Sequence, residues 1–178
     1  MLSIYCTLFI VITFLGAVCG DPTTQIILEK VDIKTDDNPF FDPWTASLTG
    51  SNEKKLTVTT PAKIDLPSHM MIRIVIGLDG NEMVNYQSTL CAFLEDESIG
   101  EGIVAHGLPK ELFPKRCPIK SGADFEVNEW MFPMQKLPPG IPDGPGEGVM
   151  TIFEEGKPPI ITLTVKGKVI NEFPGIGR

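Results

Sequence analysis

Apolar and polar positions alternate with a period of two through much of this chain. Near the C-terminus Ile161, Leu163, Val165, Gly167 and Val169 share one face, while Thr162, Thr164, Lys166 and Lys168 share the other. That alternation predicts a half-buried β-strand, apolar inside and wet outside. Residues 70–78 (MMIRIVIGL) predict a second strand, with Ile72, Ile74, Ile76 and Leu78 facing one way and Arg73 and Val75 the other. Its outer face is only partly polar, which suits a strand covered on both sides. Ile26–Ile33 and Leu56–Thr60 are further strand candidates. Glu155-Gly156 is a hairpin-turn signal that pairs Val149–Phe153 with the C-terminal strand. Asp79-Gly80-Asn81 turns residues 70–78 back into 82–88.

Helical signals are weak. Ser88–Glu95 and Glu101–His106 have room for a turn or two each, and Pro109, Pro114 and Pro118 stop anything longer. The stretch from Leu137 to Gly148 (LPPGIPDGPGEG) is expected to be a loop at the rim of an opening. No internal repeat is visible. The pattern predicts an all-β fold: a two-sheet sandwich or cup of seven or eight strands, with one or two short helical turns.

The first twenty residues have a different character. Leu8–Val18 is an apolar run too short to span a bilayer, followed by small residues at Ala17 and Gly20 and a polar chain from Asp21. Residues 1–20 are expected to be a secretory signal peptide, and residues 21–178 a single domain. A short N-terminal anchor helix is the alternative. The expected location is therefore secreted, in the extracellular space. Export alters the cysteine arithmetic. Cys6 and Cys19 leave with the signal, and the remaining pair, Cys91 and Cys117, is expected to be bonded in an oxidising compartment. Closing that loop of about 27 residues is worth roughly 3.5 kcal/mol on the chain-entropy account. No N-x-S/T sequon is present.

The formal charge of -8 argues against a nucleic-acid partner, which calls for a basic footprint. The only histidines are His69 and His106, and no nucleophile elbow, zinc-protease motif, P-loop or dinucleotide fingerprint occurs. The chain is therefore expected not to be an enzyme and to need no cofactor. Asp36, Asp37, Asn38 and Asp42 lack the spacing of a calcium loop and are expected to form a solvated turn rather than a metal site.

Between Cys91 and Val169 the order of motifs is more specific. Cys91-Ala-Phe-Leu is followed by Arg116-Cys117-Pro-Ile-Lys-Ser-Gly122, then Phe125-Glu-Val-Asn-Glu-Trp130, then Leu137-Pro-Pro-Gly-Ile-Pro142, then two apolar strands joined by Glu154-Glu-Gly-Lys157. This order resembles the lipid-recognition (ML) superfamily. The likeness is greatest to its ganglioside-activator-like branch, which includes the ganglioside GM-two activator and many small secreted insect proteins. It covers about half of the mature chain. Members of the family generally carry more than one disulfide, where this chain has Cys91 and Cys117 alone. The resemblance implies an immunoglobulin-like β-cup, two sheets splayed to hold acyl chains, with no catalytic residues.

A cup needs apolar walls without the last layer of filling. Ile72, Ile74 and Ile76 on one strand and Ile161, Leu163 and Val165 on another are the expected walls. Gly167 either widens the space or marks a close strand approach. Trp130, Met131, Phe132 and Met134 either line the entrance or form a β-edge packed on its own sandwich. Phe40, Phe41 and Trp44 are expected core filling. Lys110, Lys115, Arg116 and Lys120 make a basic segment in an acidic chain. They are either a solvated face or a contact for an anionic headgroup, with Lys115, Arg116 and Lys120 the headgroup candidates and transient membrane contact implied. The expected function is a non-enzymatic carrier of a lipid or other hydrophobic small molecule. The alternative is a protein-binding module, an enzyme activator or inhibitor or an immune co-receptor, that uses an exposed apolar patch.

Overall fold

The alternating segments are strands, and the ladder extends most of them. A computed structural model describes residues 24–171 apart from 52, 134, 135 and 137–139. In chain order the elements are β1 (Thr24–Thr35), β2 (Thr45–Thr49), β3 (Lys55–Pro61), β4 (Met70–Leu78) and β5 (Asn81–Thr89). Then follow α1 (Leu90–Leu94), α2 (Gly100–Ala105), β6 (Gly107–Leu108), β7 (Asp124–Trp130), β8 (Gly144–Glu154) and β9 (Ile161–Asn171). They form two antiparallel sheets, β1-β9-β8-β4-β5 and β2-β3-β7-β6. The fold is thus the expected all-β two-sheet sandwich with two short helices. The described residues hold nine strands rather than seven or eight. The signal segment, residues 1–20, lies outside the described residues. No described helix is long and apolar enough to cross a membrane.

One expectation is overturned. Residues 144–148 are not loop but the first half of β8. Gly144, Gly146 and Gly148 pair with Val169, Gly167 and Val165 on β9, and Gly146 and Gly148 pair with Leu78 and Ile76 on β4. Glycine and proline propensities favour a turn here, but two flanking strands supply the partners, and tertiary pairing prevails over the local preference. Pro145 is tolerated because it lies past the last residue of β4, where only β9 continues the ladder.

Local polar devices set the chain's direction between strands. Asn38 Oδ1 accepts from the amides of Phe40 (2.9 Å) and Phe41 (2.7 Å), so the Asp36–Asp42 segment is a side-chain-stabilised turn. That turn delivers Phe41 to the interior, where its ring meets Trp44 edge-on at 5.3 Å. Thr89 Oγ1 caps α1 by accepting from Ala92 N at 3.1 Å. The Cys91–Cys117 disulfide is formed, with Cα atoms 5.4 Å apart. It ties α1 to the segment that carries Ile119 into the core. Gly167 is a close approach: a Cβ there would lie 2.4 Å from the Ile27 carbonyl oxygen, beside the bulge at Glu29 on β1.

Three carboxylates, Asp65 exposed and Asp96 and Glu154 half-buried, are held below the usual carboxylate range: Asp65 chiefly by Lys120, Asp96 by the Ser98 hydroxyl, and Glu154 by Lys157. A depressed folded-state pKa contributes stability that is complete above the unfolded value of about 4 and is lost as pH falls through the folded value. Thermal melts from about pH 5 downward will therefore fall on the acid side, and Asp65→Asn will shallow that slope. An unchanged slope in the variant would show that the Asp65–Lys120 pair contributes nothing, the common result for exposed ion pairs.

Candidate ligand cavity

The inward rows of the five-stranded sheet do not all pack alike. At one end Met70, Ile72, Ile152 and Ile161 are sealed, each at most 1% exposed, among Phe41, Phe93 and Ile119. At the other end Leu78, Val169 and Ile141 are buried together. Between these two plugs Ile74, Ile76, Met150 and Val165 occupy the same inward rows yet remain only half-buried. What they face is empty space, a cavity of about 330 Å³ between the sheets. That falls within the range of small-molecule pockets, about 300–1,000 Å³.

The facing wall comes from β3 and β7. Leu56 and Val58 project inward from β3, and Phe125 and Val127 from β7. Strict alternation would send Trp130 outward. A bulge prevents this: Leu56 pairs with Trp130 but Val58 pairs with Val127, and Glu129 between them takes φ 52°. Thr57 Oγ1 accepts from Glu129 N at 3.1 Å and holds the kink. Trp130 is thereby turned onto the lining, with Phe132 edge-on at 6.3 Å. The open side of the sandwich is closed by Phe93 and Leu94 of α1, Ile99 at the start of α2 and Ile103 within it, and Phe113 of the following loop.

The lining is almost wholly apolar. Thr60 contributes a hydroxyl, and the charged residues that reach the lining, Lys136, Glu147 and Lys168, are exposed. No polar or charged residue is buried among the described residues. Asp65, Asp96, Glu154 and both histidines lie off the lining. His106 Nδ1 is 2.8 Å from the Asn128 carbonyl, and His69 Nε2 is 3.5 Å from Glu154 Oε1, both at the surface. Such a lining can desolvate hydrocarbon and can orient little else. No cluster of His, Cys, Asp or Glu suited to a metal ion occurs among the described residues.

The cavity reaches solvent beside β5. A second bulge lies there, because Ile76 pairs with Val84 while Gly77 pairs with Glu82. The extra residue, Met83, is on the lining and 47% exposed, which puts it at the rim.

Of the residues singled out in the sequence, Ile72, Ile74, Ile76, Leu163, Val165, Trp130 and Phe132 lie on this cavity. Ile161 is instead sealed in the adjoining core at 0% exposure, and half-buried Met131 is not on the lining. Met134 lies outside the described residues. Lys115 and Arg116 are exposed away from the lining, and Lys120 is paired with Asp65 at 2.7 Å. Sequence reasoning missed the helical closure, the rim methionine and the glycines of β8. The last were legible as Gly-x-Gly-x-Gly, a period of two that puts all three on one face.

No family model matches the chain, and no curated protein matches it. Among solved structures it is similar to a Niemann-Pick type C2 protein from Japanese carpenter ant, at 12% identity and a TM-score of 0.37. The overlap covers 85% of this chain and 98% of that one. A likeness of this size assigns neither family nor ligand.

Proposed function

We propose that this chain is a secreted, non-enzymatic carrier of a lipid or other hydrophobic small molecule, of the lipid-recognition (ML) kind. The observation that carries the reading is the apolar cavity held between two sheets whose ends are plugged. Burial of hydrocarbon is worth roughly 0.8 kcal/mol per CH₂. A tail of about sixteen carbons therefore gains about 12 kcal/mol gross, before the cost of association. Useful affinity then follows without a strong polar contact, and no cofactor is needed. The motif order from Cys91 to Lys157 supports the ML reading and its ganglioside-activator-like branch. The disulfide fits an oxidising, extracellular setting.

In this reading Ile72, Ile74, Ile76, Leu163 and Val165 grip the apolar part, and Trp130 and Phe132 border its path. Loading occurs during brief contact with an anionic lipid surface. Leu112 supports that step, since it is 63% exposed between Lys110 on one side and Lys115 and Arg116 on the other, while its neighbour Phe113 lines the cavity. The net charge of -8 keeps the contact transient. The protein-binding alternative calls for a filled interior, and the cavity favours the carrier.

Organic extraction of the folded, secreted protein followed by mass spectrometry tests the proposal. The expected extract holds a lipid or other apolar molecule in stoichiometric amount. An empty extract, with no uptake of added fatty acid or sterol, would overturn the carrier reading.

A further inference from the structure

On β8 one inward position of the cavity wall lacks a side chain. Gly148 is an inward position between Ile76 on β4 and Val165 on β9, both of which project onto the lining. A Cβ built on Gly148 meets nothing within 4 Å. Gly146, two residues earlier, differs, because its Cβ would already touch the Gly77 carbonyl oxygen at 3.6 Å and Leu78 Cδ1 at 3.8 Å. At Gly167 the missing side chain makes way for the β1 backbone. Gly148 alone of these three opens onto unoccupied interior. It leaves a notch in the wall where a side chain would otherwise project.

Protein interiors seldom keep voids larger than a water molecule, because atoms lining a gap forfeit their dispersion contacts. What fills the notch must come from the ligand. A single extended alkyl chain running along the cavity leaves a sideways notch empty, whereas a branch or ring at that level occupies it. Resting on the carrier reading, we propose that Gly148 sets the width of the ligand this cavity admits, and that the ligand carries a branched or ring-bearing apolar group there. The backbone at Gly148 lies outside the left-handed region, so larger residues are accepted without strain.

The test compares two probes on delipidated protein, isotopically labelled palmitate as the narrow one and N-phenyl-1-naphthylamine as the ring-bearing one. Wild type is expected to bind both. Gly148→Phe is expected to bind the ring-bearing probe more than about tenfold more weakly, the scale on which a hydrophobic pocket discriminates by size, and to lose less affinity for palmitate than for that probe. Gly148→Val should fall between them, and it carries the test if Gly148→Phe does not fold. Thr151→Phe adds the same bulk to the outer face of β8 and should change neither affinity. Equal binding of the ring-bearing probe by wild type and Gly148→Phe would overturn the inference. So would wild type that takes palmitate but no ring-bearing probe, or a folded Gly148→Phe that loses both probes. Wild type that binds neither removes the carrier reading itself.

Discussion

Ile152→Ala will destabilise the delipidated protein by about 3–4 kcal/mol, while Ile76→Ala will cost about 1 kcal/mol or less. Both are isoleucines on the inner face of the same sheet, and sequence pattern alone treats them alike. Ile152 also borders the cavity but is 1% exposed, packed in the sealed end with Met70, Ile72 and Phe93. Truncating it forfeits the transfer free energy of its removed carbons and leaves a new void in a close-packed region. Ile76 is only half-buried on the cavity wall, so part of its surface has no packing partner to lose. Urea unfolding monitored by tryptophan fluorescence measures both losses, with delipidation needed because bound ligand stabilises the folded state by mass action. With ligand present the order should narrow, since Ile76 then regains a neighbour. Equal losses in the delipidated protein would mean that the middle of the sandwich is filled, and the cavity would fall with them.

That pair also shows where sequence reading stops. The alternation of MMIRIVIGL marks β4 with the bounds it has in the structure, and the β8–β9 hairpin follows from Glu155-Gly156. Period two identifies an inner face because side-chain direction is a local property of a strand. It does not say whether the space in front of that face is occupied, which depends on residues far away in sequence. The helical closure by Phe93, Leu94 and Ile103 and the position of Phe113 are of that kind. So is Ile161, which has the same alternation as Leu163 yet lies in the plug rather than on the cavity. Trp130 reached its place through a bulge that breaks the period on which the reading relies. The start of β8 was missed for the converse reason: glycine and proline carry strong local signals, and the partners that overrule them, β4 and β9, are non-local.

Removing the Cys91–Cys117 bridge, by Cys91→Ala with Cys117→Ala, will destabilise the protein by about 3.5 kcal/mol on the chain-entropy account. A small domain holds about 5–15 kcal/mol in total, so this is a large share, and the urea midpoint should fall with little change in slope. The bridge spans a separation of 26 residues, and that span includes α2, β6 and the Phe113 loop. Within it, Ile99 and Ile103 at α2 and Phe113 of the loop help close the open side of the cavity. The other ties on this stretch run mainly to β7: two residues of ladder from β6, a bond from Asn128 N to the His106 carbonyl at 2.9 Å, and Phe113 packed edge-on against Phe125. Local opening draws on segments with the fewest buried contacts, so losing the bridge should loosen the closure before it unfolds the sheets. Two readouts separate these effects. Hydrogen exchange should rise first across residues 98–116, while β4, β8 and β9 stay protected. Bound palmitate should dissociate faster from the double variant than from wild type at urea concentrations where both remain folded. A midpoint equal to that of wild type would show that the bridge does not constrain the unfolded chain. A lower midpoint with unchanged palmitate release would show that the segment it ties down is not what retains the ligand.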